Sequence, residues 1–306
     1  MNAHFSPPRI NARSYPPGWG ATGRLVVVPA RNEAERITAC LGALRDQQVD
    51  VLVVANNCTD QTGIIAADAG AAVMDCLLPD GGVGAARRLG VAEGLRRMRK
   101  VGAILTTDAD CIVAPAWVEQ NLRHIRAGAA AVCGLVQPIR EEHAALPAPL
   151  LRRAALEDRF LELKALLEQR LTGRAGHEQT PGASLAFAPD AYAAAGGFDP
   201  MPTHEDRAII LRLKSLGLPV VHARQVTVHA SCRLEGRAPG GMAAALRDRA
   251  AHPAAPLCPD MGRSDHPAMQ AVLDRIGPLR TPEDLPSAIA QVEQMLRAVP
   301  HSNSRS

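Results

Sequence analysis

RLVVVPARNEAERITACLGAL, residues 24–44, decides the fold class. Leu25 to Val28 is an unbroken apolar run closed by Pro29, the pattern of a strand buried on both faces. Behind it Ile37, Cys40, Leu41 and Leu44 fall at i, i+3, i+4 and i+7, which gives a helix one apolar stripe. The pattern then repeats. Val51–Val54 reads as a strand, Asn56-Asn57-Cys58-Thr59-Asp60 as a polar turn, Thr62–Ala69 as a helix and Ala71–Met74 as a strand. Next come a helix from Gly84 to Arg99, a strand at Ile104–Leu105, a helix over Trp117–Ile125 and a strand over Ala130–Val136. Strand–helix alternation of this kind demands an α/β fold with a mostly parallel sheet and right-handed crossovers.

After residue 137 the rhythm changes. A long amphipathic helix is expected from Leu150 to Leu171, then a polar loop, a short strand at Leu185–Ala188 and a helix opened by Pro189-Asp190. Glu205–Leu216 reads as a helix, and Val220–Val221 and Val226–His229 as two short strands. From Gly236 onward only Met242–Arg249, Ala268–Ile276 and Leu285–Val299 look helical. The expected organisation is a disordered or loosely packed lead-in (1–22), a ligand-binding α/β half (23–137), an irregular half (138–240) and a helical C-terminal extension (241–306).

The 306 residues are 47% apolar and 21% charged, an ordinary globular composition with room for one large α/β domain or two modest ones. Aromatics at 3% exclude a stacking platform for single-stranded nucleic acid, and a net charge of +3 provides no field for a polyanionic partner. No run approaches about 18 consecutive apolar residues, so no membrane span is encoded. The polar, Pro-rich N-terminus has no signal-type apolar stretch, and the expected location is the cytoplasm. The seven cysteines are odd in number and contain no Cys-x-x-Cys, so reduced and mostly buried thiols are expected rather than disulfides or a zinc site.

In open parallel sheets ligands bind outside the carboxyl ends of the strands. The informative residues are then Pro29, Ala30, Arg31, Asn32 and Glu33 after the first strand, and Asn56, Asn57 and Asp60 after the second. Asp108-Ala109-Asp110 follows the fourth. In an extended segment residues i and i+2 face the same way, so both carboxylates can meet one Mg²⁺ or Mn²⁺ shared with substrate phosphates. The plainer reading is an Asp that caps a helix. Gly81-Gly82-Val83-Gly84 precedes an arginine-rich helix. Free N–H groups there suit a phosphate, and Arg87 is a fork donor for a diphosphate. A flexible turn and a solvated face are the alternative for Arg87 and Arg88, and the better reading for Arg96–Lys100. The segment is neither a P-loop nor a dinucleotide fingerprint.

His204-Glu205-Asp206 opens a helix, where a carboxylate pair either complements the dipole or supplies a general base. No His-Glu-x-x-His is present, which rules out a zinc protease of that type. Gly182-Ala183-Ser184 approaches a nucleophile elbow but lacks the second glycine and leads into a strand, which argues against a serine hydrolase.

Six motifs occur in order over about residues 24–240: VVVPARNEAERITACLGAL, VVANNCTDQT, GVGAARRLGV, TTDADC, GASLAF with GGFD, and HEDRAIILRLKSLG. Together they resemble the family 2 glycosyltransferases with the GT-A fold. The resemblance implies that Pro29, Ala30, Arg31, Glu33 and Asn56 hold the nucleoside and Asp108 the donor diphosphate, to which the helix-terminus reading adds Gly84 and Arg87. It implies Asp108 and Asp110 as ligands of a Mg²⁺ or Mn²⁺ cofactor, with His229 as a third metal or phosphate contact. Asp206, with Glu205 beside it, takes the place of the base of inverting members, and Gly182, Ala183, Ser184, His204 and Arg233 fall on the acceptor side.

Two departures matter. Many members carry Asp-Asp where this chain has Ala55-Asn56, and an amide both donates and accepts, so a uracil preference does not carry over. The Gln-x-x-Arg-Trp signature and membrane helices of processive synthases are absent. The expected function is transfer of a sugar from a nucleotide-diphospho-sugar to a soluble small-molecule or glycan acceptor hydroxyl, with no nucleic-acid partner. A nucleotidyltransferase is the second reading, but it would carry a Gly-rich basic loop in place of Pro29–Glu33. A non-catalytic nucleotide-sugar-binding module is the third, and the joint presence of Asp108, Asp110 and Asp206 opposes it.

Overall fold

A computed structural model describes residues 7–79, 82–173, 177, 179–236 and 241–299. The run at Leu25–Val28 does become a strand buried on both faces, with all four residues at 0% exposure. Among the described residues one nine-stranded sheet runs in the order β1 (Arg9–Ser14), β4 (Ala72–Leu77), β3 (Asp50–Asn56), β2 (Arg24–Ala30), β5 (Ala103–Thr106), β8 (Leu185–Phe187), β7 (Ala131–Pro138), β9 (Val220–Ala230), β6 (Cys111–Val113). The four central strands β4, β3, β2 and β5 are parallel, as the alternation requires. Antiparallel pairings (β1 with β4, β8 with β5 and β7, β6 with β9) extend the sheet on both sides.

Alternate residues of each central strand go to opposite faces. Val26, Val28, Val53 and Ala55 pack with α1 (Ile37–Leu44), α2 (Thr62–Asp68) and α4 (Trp117–Arg126). Leu25, Val27, Leu52 and Val54 pack with α3 (Val83–Arg97), α7 (Pro189–Ala194) and α8 (Glu205–Ser215). Helix α3 meets the sheet through glycine. A Cβ at Gly90 would lie 2.5 Å from Val27 Cγ1, and one at Gly94 2.3 Å from Leu25 Cδ2. Glycine in a helix interior costs roughly 0.5–1 kcal/mol relative to alanine, which the close approach to a fully buried strand offsets.

The chain divides into two units. The first is Met1–Ile139, Gln179–Ser231 and Gly236–Gly241, and it holds the whole sheet; the second is Arg140–Glu178, Cys232–Glu235 and Met242–Ser306. In the second, Phe160, Leu163 and Leu167 of α6 (Ala148–Thr172) bury against α10 (Pro267–Ile276) and α11 (Leu285–Ala298). Two buried cations tie the Pro-rich segment to α6 there. Arg153 donates to the carbonyls of Ala255 at 2.8 Å and Pro256 at 3.1 Å, and Lys164 donates to those of Met261 and Arg263. Among the described residues no helix is long and apolar enough to cross a membrane. None of the seven cysteines forms a disulfide, and burial raises the thiols of Cys40, Cys76, Cys111 and Cys133.

The expected lead-in is structured from Arg9. β1 pairs with β4, Trp19 Nε1 donates to Val51 O at 2.9 Å, and Asp50 accepts from the amides of Gly20 at 2.6 Å and Thr22 at 2.9 Å. Glu93 on α3 fastens this segment from the side. It accepts from Tyr15 Oη at 2.5 Å, from Arg96 at 2.7 Å and from Arg97 at 2.9 Å. Burial pushes the Glu93 carboxyl up, but hydrogen bonds from Arg96, Tyr15 and Arg97 outweigh it and bring its pKa from 4.5 to about 2. The stability it contributes is therefore present above pH 4.5 and lost as the pH falls through about 2. Because Arg96 and Arg97 are exposed, Glu93→Gln should cost about 1–2 kcal/mol at neutral pH. The difference from the parent should shrink at about pH 3, which urea unfolding at the two pH values measures.

Candidate active site

The strand order reverses between β2 and β5: the chain leaves β2 toward β3 and β4, then returns to the other side of β2. A crevice at the carboxyl ends of such a pair is where an open α/β sheet takes its ligand. The ladder between them stops at Val27↔Thr106, while β2 continues beside β3 to Ala30↔Ala55. Pro29 and Ala30 are thus inside the strand rather than beyond it. Pro29 is tolerated because the β5 side of the ladder has already ended.

The loop after β2 is held by the turn after β3. Asn32, at φ 55°, accepts the Thr59 amide on Oδ1 at 2.7 Å. Asp60 accepts from Ala34 N at 3.2 Å and from the Thr62 hydroxyl at 2.5 Å, and Thr62 Oγ1 accepts the Glu33 amide at 2.8 Å. Glu33 is buried at the entry to α1, Arg31 is exposed, and Asn56 ends β3 at 8% exposure. Asn57, at φ 55°, accepts the Leu78 amide at 3.0 Å. Left-handed backbone is more accessible to Asn than to other non-glycine residues, so both turns hold their shape through asparagine.

The N-terminus of α3 does not stand open for a phosphate. Gly84 N donates to Met201 O at 3.2 Å, and a Cβ on Gly84 would lie 2.2 Å from Asp199 O. A Cβ on Gly82 would lie 2.2 Å from Pro202 Cα, so these glycines admit the 199–202 loop. Gly81 lies outside the described residues. Arg88 is exposed, and its Nη1 donates to Gly196 O and Phe198 O, each at 2.8 Å. Arg212 grips the same loop through Ala195 O, Gly197 O and Asp199.

Arg87 lies at 2% exposure, with one guanidinium nitrogen donating to Asp108 and the other to Glu205, itself 2% exposed. Burial opposes the Arg87 charge, but Asp108, Glu205 and Asp206 outweigh that cost and its pKa is raised. Burial pushes Glu205 up to about 7, Arg87 opposing and Asp206 and Asp108 adding to the rise. Gly182 presses its backbone onto this guanidinium; a Cβ there would lie 2.4 Å from Nη1 and 2.6 Å from Cζ. The Gly182 amide donates to Asp206 Oδ2 at 2.8 Å, and its carbonyl accepts from Thr106 Oγ1 at 2.7 Å. Asp206 is half-buried and begins α8 behind His204, which adopts φ 67°. The structure thereby gathers Arg87, Asp108, Gly182, Glu205 and Asp206 at one place.

Asp108-Ala109-Asp110 is a turn, closed by Cys111 N donating to Asp108 O at 3.1 Å, and not the extended segment expected. The Asp108 carboxylate is 35% exposed. His229 faces Ile112 across the β6–β9 ladder, two residues along from Asp110. Among the described residues no three His, Cys, Asp or Glu side chains form a preformed metal cage. Two carboxylates, with the other positions left to phosphate and water, are what Mg²⁺ or Mn²⁺ accepts, so Asp108 and Asp110 fit such an ion.

Two acceptor-side expectations fail on burial. Ala183 is in the core at 7% exposure, and Ser184 is at 0% with its hydroxyl accepting from Trp117 Nε1 at 2.9 Å. Arg233 belongs to the second unit. Sequence reasoning missed Trp117, Arg212 and the anchoring roles of Asp60 and Thr62. The only available signal was the Gly196-Gly197 pair, both at positive φ, whose carbonyls need donors. Gly182→Ala should displace the guanidinium and leave Glu205 buried without its partner, at a cost of about 3–5 kcal/mol. Gly42→Ala, in α1 with nothing within 4 Å, should instead stabilise by about 0.5–1 kcal/mol. Urea midpoints of the two variants decide whether Gly182 is a packing position of the site.

Comparison with the curated proteins gives no match. Among solved structures the chain is similar to glucosyl-3-phosphoglycerate synthase from Mycobacterium tuberculosis in complex with Mn²⁺, UDP and phosphoglyceric acid (21% identity, 74% of this chain and 80% of that one, TM-score 0.47). It is also similar to the mannosyltransferase PcManGT from Pyrobaculum calidifontis in complex with GDP-Man and Mn²⁺ (16% identity, 90% and 75%, TM-score 0.49). The family model described as glycosyl transferase family 2 matches residues 25–186, just over half of the chain. That span contains the four central parallel strands from Leu25 on, the switch point and the Asp108–Asp110 turn. The chain belongs to glycosyl transferase family 2 and is a glycosyltransferase.

Proposed function

We propose that the protein transfers a sugar from a nucleotide-diphospho-sugar to the hydroxyl of a small-molecule or glycan acceptor, with inversion at the anomeric carbon. The observation that carries this reading is the asymmetry within the carboxylate pair at the start of α8. Glu205 is enclosed and committed to Arg87, whereas Asp206 is half-buried and aimed by the Gly182 amide. Of the two, Asp206 has the solvent access that an acceptor hydroxyl requires.

On this reading the nucleoside lies over the carboxyl ends of β2 and β3, against Ala30, Arg31 and Asn56. The diphosphate lies toward the Asp108–Asp110 turn. Those two carboxylates would hold a Mg²⁺ or Mn²⁺, which supplies positive charge against the leaving diphosphate. The acceptor oxygen attacks the anomeric carbon, its proton passes to Asp206, and the bond from that carbon to the diphosphate oxygen breaks. Arg87 takes no direct part, because it is enclosed behind Asp108. His204 stands at the mouth of the acceptor side, its Nδ1 3.0 Å from Thr203 Oγ1.

Asp206→Asn should leave donor affinity near the parent value and lower turnover by about 10²–10⁴-fold, the usual worth of a positioned base. Steady-state kinetics with UDP-, GDP- and dTDP-sugars measures both; parental turnover in a folded Asp206→Asn protein would sink the assignment. In a thermal-shift assay, nucleotide at about 100 times its dissociation constant should stabilise by about 2.7 kcal/mol with Mn²⁺ present. EDTA should remove that stabilisation, and so should Asp110→Ala.

A further inference from the structure

We infer that Arg87 is a positioning residue for the transfer, holding Asp108 on the donor side and Asp206 on the acceptor side at one fixed separation through Gly182. The inference rests on the roles proposed for those two carboxylates, but the lever itself is a matter of geometry. One arm is direct, from the guanidinium to Asp108. The other runs through backbone. The guanidinium fills the space where a Gly182 side chain would be, the Gly182 amide donates to Asp206 Oδ2 at 2.8 Å, and the Gly182 carbonyl is tied to Thr106 Oγ1 at 2.7 Å. Gly182 therefore cannot shift without moving the Asp206 carboxylate, and the guanidinium cannot shift without releasing Gly182.

Glu205 sets the depth of the lever. It holds the guanidinium from below at 2% exposure, where no water competes for the pair. The Phe198 ring covers the guanidinium 5.9 Å from its carbon. The Nε–H of Arg87 is buried without a partner, an expense that a simple packing arginine would avoid. A planar fork can serve Asp108 and Glu205 at once; the single point charge of lysine cannot span them. Misplacing a reacting group by about 1 Å is enough to lose about 100-fold in rate.

The test removes the ion pair without stranding a charge. In Arg87→Gln/Glu205→Gln neither member is left buried alone, so the protein should fold and melt close to the parent. With sugar nucleotide and acceptor, kcat should fall about 100-fold while KM for the donor stays within about threefold. A second readout needs no turnover: hydrogen exchange of the Gly182 amide, followed in a peptide spanning residues 179–187. Exchange should quicken in the folded double variant, because the amide loses its aim at Asp206. Arg87→Lys keeps the charge and the alkyl stem, folds even where the double variant does not, and should show the same fall in kcat. Parental kcat in either folded variant, or a Gly182 amide as protected as in the parent, would overturn the inference. Should the parent itself transfer no sugar, the functional reading fails, and the exchange arm still decides whether Arg87 holds Gly182 and Asp206 in register.

Discussion

A guanidinium enclosed by protein must find its countercharges within reach, and in this fold that requirement organises the site. Arg87 leaves the first turn of α3 and meets Glu205 from α8 and Asp108 from the end of β5, groups far apart in the chain. An uncompensated charge at that depth would cost several kcal/mol, so the three elements are constrained together or not at all. The surrounding loops follow from this. Residues 199–202 cross the end of α3, and Arg88 and Arg212 take the carbonyls that the Gly196-Gly197 turn leaves over.

The chemistry divides along the same line. The residues of the β2 and β3 turns are held by hydroxyls, amides and backbone gathered on the Asp60 carboxylate and Thr62, with no cation paired to that carboxylate in these hydrogen bonds. At the β5 and α8 ends three carboxylates, Asp108, Glu205 and Asp206, gather around the one buried cation Arg87. On the proposed reading, the hydrogen-bonded cradle takes the base and ribose of a sugar nucleotide, and the net negative end takes a divalent ion carrying phosphate.

The parallel core was legible because burial on both faces writes continuous apolar runs, as at Leu25–Val28 and Val51–Val54. β1 was not, since Arg9–Ser14 has an exposed pattern and owes its conformation to β4, some sixty residues away. β9 looked like two strands because its register beside β7 jumps from Ala223 to Thr227, a bulge that interrupts the apolar pattern without ending the strand. At the site, motif order pointed to Asp108, Glu205 and Asp206, which the structure brings together around Arg87. It gave no access to depth. Nothing in Gly-Ala-Ser announces that Ser184 faces an indole, nor does Arg-Arg announce that Arg87 turns inward while Arg88 binds a loop. Those outcomes depend on which side of α3 meets the sheet, a three-dimensional fact.

The glycine face of α3 has a consequence for how the enzyme tolerates change. Gly90 and Gly94 let the helix sit against Leu25 and Val27 without an intervening layer of side chains. They lie one and two turns from Arg87 on the same helix. A methyl at either position would act as a shim, lifting the helix from the sheet and drawing the arginine away from its two carboxylates. Residues that touch neither sugar nor nucleotide thus set the working clearance of the site, and small volume changes on the far turns of α3 would be read out as lost activity before they were read out as lost fold.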